Sequence, residues 1–239
     1  MTILKKIVNT IQNRKYRSNI DRYDTSNDEN YVRGVKKVMN VLNYTKKSSV
    51  SYSAGPFESG YHSFKIDQHE FKGQRSPELR FKDLPFSLKG LSVLDIGCNQ
   101  GAMLSAFSDI ISYGVGIDYD YRMINAANKI KSYKKIESID YYVFNLETED
   151  LDRIQDFLPE DKLDVVLLLS VCMWIKNWKD VINFSAKISD MLVFESNGKP
   201  EQQKEQVEYL KHVYQNVQLI NATSEDDPSQ KMRQLYYCK

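Results

Sequence analysis

Two glycines four residues apart close what is otherwise a buried apolar run, Val93-Leu94-Asp95-Ile96-Gly97-Cys98-Asn99-Gln100-Gly101-Ala102. Glycine lets the backbone turn sharply and approach a ligand closely, and open α/β sheets bind ligands at the carboxyl ends of their central strands. The loop from Gly97 to Gly101 is therefore the first candidate for chemistry, as a cofactor cradle. A nicotinamide fingerprint, G-x-G-x-x-G, needs glycine at position 99 to make room for a pyrophosphate, and Asn99 stands there. A Walker phosphate loop is excluded because no G-K-[ST] follows.

Three further groups of residues carry usable chemistry. The lead-in to the loop mixes aromatics with cations, from Tyr61-His62-Ser63-Phe64 through Phe71-Lys72-Gly73-Gln74-Arg75 to Arg80. The planar fork of Arg75 suits a carboxylate or phosphate, or else a surface ion pair. His62 is the first candidate base, ahead of His69 and His212, because its aromatic-flanked segment can close over a site. After the run Leu163 to Ser170 comes Val171-Cys172-Met173-Trp174, whose only ionisable group is a thiol. Nothing cationic neighbours Cys172 in sequence, so a nucleophilic role for it is weakly supported, while Met173 and Trp174 can form a stacking wall. Glu195, Ser196 and Asn197 end another apolar run, where they bind polar groups of an acceptor or cap the next helix. Glu195 joins His62 as a catalytic candidate, and Tyr61, Arg80, Trp174 and Asn197 are the substrate candidates.

These residues need a scaffold, and the apolar runs supply one. Leu91 to Ile96, Tyr113 to Ile117, Tyr141 to Asn145, Leu163 to Ser170 and Met191 to Phe194 read as strands with helical patterns between them. Near-continuous apolar strands such as Val165-Val166-Leu167-Leu168-Leu169 fit a sheet covered on both faces, and the alternation makes it mostly parallel. Val217 to Ala222 and Leu235 to Cys238 are joined by a polar stretch unsuited to a crossover helix, which predicts an antiparallel hairpin at the sheet edge. The class is α/β, a doubly wound, mostly parallel seven-stranded sheet with an N-terminal helical extension. A second helix is expected over Tyr31 to Tyr44, following an amphipathic cationic helix at Ile3 to Ile11 and a polar linker at Asp21 to Asn30.

The stretch around Gly97 resembles motif I of the class I methyltransferases, in which a strand ending D-x-G-x-x-x-G carries the methionine part of S-adenosylmethionine. The resemblance implies that cofactor, with Asp95, Gly97, Asn99 and Gly101 around its methionine end. It continues at Gly116-Ile117-Asp118, 23 residues after Asp95, where it implies that Asp118 holds the ribose hydroxyls, with Tyr119 beside it. At Phe144-Asn145-Leu146 it implies an amide from Asn145 on the adenine edge and a face from Leu146, although the family often has Asp at the former. Leu163 to Val171, including Ser170, resembles the fourth strand, under the transferred methyl; Arg75 is then a partner for the methionine carboxylate. The matches cover roughly Leu91 to Glu195. They imply one domain over 61–239, with a lead-in at 61–90, preceded by an extension over 1–60. The His pair that many small-molecule members carry after the fourth-strand Ser is missing. Methyl transfer from a sulfonium has a good leaving group, so holding the acceptor in near-attack geometry supplies much of the acceleration without a base.

The resemblance leads to an expectation of S-adenosylmethionine-dependent O-methylation of a small polar acceptor: a sugar, nucleotide-linked or phosphate-bearing metabolite of the kind built into surface glycans. Two alternatives are an RNA or tRNA methyltransferase gripping phosphates with the basic segment Lys5 to Arg22, and a silent cofactor-binding subunit. Lysine and arginine total 33 against 32 aspartate and glutamate, so no global cationic field favours nucleic acid. Cys98, Cys172 and Cys238 form no C-x-x-C pair, which argues against a zinc site or disulfide scaffold and fits a reducing cytoplasm. No apolar run reaches the roughly 18 to 20 residues of a membrane span. The apolar stripe of the N-terminal helices packs on its own domain or forms a homodimer contact.

Overall fold

The computed structural model describes residues 37–38, 41–42, 45, 57–66, 69–224 and 232–239. The expected cationic helix, the linker and most of the second helix lie outside these residues, as does most of the polar stretch before the last strand. The chain divides into two compact units, residues 1–74 and 75–239.

In the first unit, residues 37–38, 41–42 and 45 are helical. Val38 and Leu42, one turn apart, are buried, and the Thr45 hydroxyl donates to the Leu42 carbonyl at 2.7 Å. Short strands follow: β1 (Gly60–His62), β2 (Phe64–Ile66), β3 (His69–Phe71) and β4 (Gly73–Arg75), the last crossing into the second unit. β2 and β3 pair antiparallel, with Phe64 opposite Phe71. Phe64, Ile66 and Phe71 are buried and Lys65 and Glu70 exposed, the period-2 alternation of a two-sided ribbon. Gly73 is required where it stands, since a Cβ there would lie 2.1 Å from the His62 carbonyl carbon.

The second unit is built on a seven-stranded sheet. Its strands are β5 (Ser92–Ile96), β6 (Tyr113–Asp118), β7 (Ile139–Val143), β8 (Val165–Leu169), β9 (Met191–Glu195), β10 (Val217–Asn221) and β11 (Leu235–Cys238). They lie in the order β10-β11-β9-β8-β5-β6-β7. The five strands from β5 to β9 run parallel, and β11 is antiparallel to both β9 and β10, the expected hairpin. Helices α1 (Pro77–Arg80), α2 (Ala102–Ala106), α3 (Tyr121–Lys134), α4 (Trp178–Ile188) and α5 (Pro200–Val213) complete the unit, with 3-10 helices at Leu151–Phe157 and Cys172–Trp174.

Side chains alternate between two cores, as the pleat requires. Leu94, Ile96, Val166, Leu168, Leu192 and Phe194 pack on one face with Val181 and Ile182 of α4 and Leu210 of α5. Val93, Val165, Leu167, Leu169 and Val193 pack on the other with Met103 and Leu104 of α2 and Ile124 and Ala127 of α3. Strand order reverses at β5, whose neighbours are β6 and β8. That reversal is the switch point where open α/β sheets leave a crevice beyond the strand ends, and the loop Gly97 to Gly101 begins there. The third parallel strand starts two residues earlier than its apolar pattern predicts, so Asn145 lies past the strand in a turn.

Candidate functional site

The loop after β5 is held by backbone bonds and by packing. The N–H groups of Gly97 and Cys98 both donate to the Ile117 carbonyl, at 2.8 and 3.0 Å. Gly97, Asn99 and Gly101 all have left-handed backbones, φ 77°, 51° and 74°, so the chain turns back on itself before α2. A Cβ at Gly97 would come within 2.6 Å of Val171, and one at Gly101 within 2.5 Å of the Tyr141 ring. The Tyr141 hydroxyl donates to the Gly101 carbonyl at 2.8 Å. Asn99 tolerates the left-handed region because its side-chain oxygen accepts locally, here from the Gln100 N–H at 2.9 Å.

Two carboxylates flank this loop. Asp118, at the end of β6, accepts from the Asn99 N–H at 2.9 Å on one oxygen and from the Asp120 N–H at 2.8 Å on the other. Each oxygen keeps a second lone-pair direction for a ligand hydroxyl. Burial pushes its carboxyl up to about 6, against the lowering effect of the Asp120 and Asn99 N–H groups. Asp95 is 2% exposed, and its Oδ2 makes no hydrogen bond among the described residues. Burial pushes Asp95 up to about 7; Arg80 opposes the rise and Asp118 adds to it. A buried acceptor without a donor is costly, and a ligand cation relieves that cost.

Tyr119 follows Asp118 with 64% of its surface exposed. Asn145 Oδ1 accepts from the Glu147 N–H at 3.0 Å, closing a turn, and its own N–H donates to Glu149 Oε1 at 2.7 Å. Leu146 is buried in the core, and its carbonyl accepts from Asn177 Nδ2. The structure thus gathers Asp95, Gly97, Asn99, Gly101 and Asp118 at one loop, with Tyr119 on the adjoining turn.

Other expectations require correction. Glu195, at the end of β9, is not placed to act as a base. Its Oε1 accepts from Arg75 Nη2 at 2.6 Å and Arg80 Nε at 3.1 Å, and its Oε2 accepts from Arg80 Nη2 at 2.6 Å and from the Ser170 hydroxyl. Burial alone would raise this carboxyl, but Arg80 and then Arg75 pull it down to about 2, so near neutral pH it is a poor proton acceptor. Arg75 is 0% exposed, and its fork is directed at Glu195 rather than at a cofactor or acceptor anion. Arg80 is engaged the same way and is not a surface contact for substrate.

Ser170 takes a left-handed backbone, φ 62°, and its hydroxyl is committed to Glu195. Asn197, expected to meet the substrate, is 0% exposed, with its Nδ2 donating to the Ser170 carbonyl and its Oδ1 accepting from the Met173 N–H at 3.0 Å. Trp174, by contrast, is 52% exposed. Tyr61 and His62 lie on β1 in the first unit, with ring centroids 4.5 Å apart, and His62 is buried. Burial holds the Cys172 thiol protonated, which closes the nucleophile reading.

Sequence reasoning missed several members of this neighbourhood. Arg233 donates from Nη1 to Ser170 Oγ at 3.2 Å and lies 4.0 Å from Glu195 Oε2, yet nothing around it in sequence marks it. Tyr141 had a usable signal: a tyrosine inside a buried strand needs a partner for its hydroxyl. Gln203 and Gln206, buried on the inner side of α5, bond the segment after β9; two glutamines one turn apart on an amphipathic helix were the available hint.

Residues 94–192 match a family model described as a methyltransferase domain. The ubiquinone biosynthesis O-methyltransferases of two Rhodopseudomonas palustris strains, TIE-1 and ATCC BAA-98 / CGA009, are each 31% identical over 105 residues, which is 44% of this chain and 37% of theirs. The chain therefore spans little more than a third of the length of these curated relatives. Among solved structures, the N-terminal domain of EvdMO1 with SAH bound superposes with a TM-score of 0.57 at 11% identity, over 84% of this chain and 95% of that one. WbdD, co-crystallised with a kinase inhibitor, gives 0.51 at 19% identity, over 67% of this chain and 39% of that one. At those identities the likeness is one of fold. Residues 94–192 are thus similar to a methyltransferase domain, set on a sheet of the fold that these structures share.

Proposed function

We propose that this chain transfers a methyl group from S-adenosylmethionine to an oxygen of a small polar acceptor, such as a sugar or a nucleotide-linked or phosphate-bearing metabolite of the kind built into surface glycans. The observation that carries the cofactor part is the register of the left-handed loop Gly97 to Gly101 with Asp118, whose carboxylate is bonded to the loop at Asn99. The acceptor part draws on the relatives: the curated ones are O-methyltransferases by name, and EvdMO1 was crystallised in the presence of SAH and D-fucose.

The residues fit the cofactor. The buried Asp95 Oδ2 suits the ammonium of its methionine end, and the lone pairs left on Asp118 suit two ribose hydroxyls. The exposed ring of Tyr119 and the Asn145 amide would then hold the adenine. Bound S-adenosylmethionine supplies an electrophilic methyl on a sulfonium. The chain's own part is to hold and orient: Val171 packs against the loop at Gly97, and two residues further along the chain Met173 and Trp174 are exposed apolar side chains. With Glu195 held as a carboxylate and Cys172 as a thiol, the described part of the second unit offers acceleration through positioning, which alone reaches several orders of magnitude.

Incubation of labelled cofactor with a panel of sugars, nucleotide sugars and phosphorylated metabolites tests this reading. Label is expected in an acceptor hydroxyl; label appearing only in RNA would overturn it.

A further inference from the structure

Asn197 was expected to touch the acceptor, and the structure instead buries it as the centre of a four-bond buckle. Its backbone is gripped from α5: the Asn197 N–H donates to Gln206 Oε1 at 3.1 Å, and Gln206 Nε2 donates to the Asn197 carbonyl at 2.9 Å. Its side chain faces the other way, donating to the Ser170 carbonyl and accepting from the Met173 N–H. One amide therefore bonds both ends of the segment that leaves β8. That segment has a non-glycine residue in the left-handed region, Ser170, a conformation that persists only where the surroundings over-determine it.

The same segment connects the two halves of the candidate site. Val171 packs where a Cβ on Gly97 would sit, 2.6 Å away, and two residues later the 3-10 helix turns Met173 and Trp174 outward, 37% and 52% exposed. Gly198 leaves room on the far side, since a Cβ there would lie 3.3 Å from Met173 Cβ. The ledge is thus fixed at one end by the cofactor loop and at the other by Asn197.

We infer that Asn197 is a positioning residue for acceptor selection: by clamping Ser170 and Met173 it sets where the Met173–Trp174 ledge stands relative to Gly97. This rests on the methyl-transfer reading above and adds to it that the acceptor presents a flat or apolar face to that ledge. Asn197 touches neither ligand in this scheme, so its loss alters acceptor recognition and leaves cofactor binding intact.

The test uses the full chain carrying Trp178→Phe, which leaves Trp174 as the one tryptophan. In this background Asn197→Ala is compared with Asn197→Asp, which keeps an oxygen to accept from Met173. The alanine variant should exchange its Met173 amide about tenfold faster, as expected for one lost buried bond, and should red-shift Trp174 emission. The aspartate variant should keep the Met173 amide protected, and both should bind S-adenosylhomocysteine within about twofold of the parent, less than one lost hydrogen bond. With the nucleotide-sugar panel as acceptor probe, KM for the sugar should rise while KM for the cofactor stays. Unchanged exchange and emission in the alanine variant, or equal losses in both variants, would overturn the inference. A parent protein that does not bind S-adenosylhomocysteine would instead sink the methyl-transfer reading, so the two failures are distinct. Should the alanine variant not fold, the exchange rate at Met173 in Asn197→Asp still decides: rapid exchange there contradicts the proposed bond.

Discussion

Three carboxylates of the second unit occupy opposite electrostatic settings, and their pH responses have opposite signs. Asp95 ionises near 3.8 when unperturbed and near 7 in the fold, so the folded chain binds the extra proton in between. Stability of the ligand-free protein from this group therefore falls as pH rises from about 4 to 7, and Asp118, raised to about 6, acts in the same sense. Glu195 is depressed from 4.5 to about 2, so its contribution is complete above about pH 4.5 and is lost as pH falls toward 2. The melting temperature of the ligand-free protein should accordingly rise when pH is lowered from about 7.5 to 5.5, then drop below about 4, and Asp95→Asn should flatten the first change. An ammonium partner needs Asp95 ionised, so affinity for S-adenosylhomocysteine should move the other way and weaken over the same acid step. Glu195→Gln leaves buried guanidiniums without their anion and should cost about 3 to 5 kcal/mol in urea unfolding; a loss under about 1 kcal/mol, the range of an exposed pair, would show the cluster to be dispensable. At this scale the sequence was half legible. Asp95 and Asp118 stand beside motif glycines, and chain order alone brings them to the loop. The partners of Arg75 and Arg80 lie 120 and 115 residues away, and no local pattern encodes a contact that the sheet creates by placing the end of β9 near α1.

At the level of elements, the cofactor loop depends on two aromatic and aliphatic contacts as much as on its glycines. Tyr141, from β7, lies against Gly101 and Gly116 and bonds the Gly101 carbonyl, so one side chain sets the height of the turn before α2. Tyr141→Phe keeps the ring and removes the bond, and should lower stability by about 1 kcal/mol, with a larger fractional loss in cofactor affinity than in urea midpoint. Gly101→Ala asks more: it puts a Cβ 2.5 Å from that ring at a left-handed φ, and should abolish cofactor binding while far-UV circular dichroism stays close to the parent. The strands and their order of use were readable because five apolar runs alternate with helical patterns, and the last hairpin because no helix fits its connection. The short strands β1 to β4 were not readable, since three-residue strands rich in Gly, His and Gln carry almost no periodic signal. The end of β7 was misjudged for a related reason: Phe144 is buried and apolar like a strand residue, but it precedes a turn closed by the Asn145 side chain.

For the whole molecule, the near-balance of 33 basic and 32 acidic residues bears on the choice between a metabolite and an RNA acceptor. A phosphate-gripping enzyme shows affinity that falls steeply with salt; this chain should show no more than weak binding to bulk tRNA, already lost near physiological ionic strength. The central claim, that a loop turned by Gly97, Asn99 and Gly101 beside Asp118 accepts an adenosyl group and not a dinucleotide, is open to a direct calorimetric test. Isothermal titration of the full chain with S-adenosylhomocysteine should give saturable binding at one site per chain, weakened at least about tenfold by Asp118→Ala, as expected for one or two charge-assisted bonds of about 1.5 to 3 kcal/mol. NAD should give no heat of binding. Saturable binding of NAD without binding of S-adenosylhomocysteine would contradict the account.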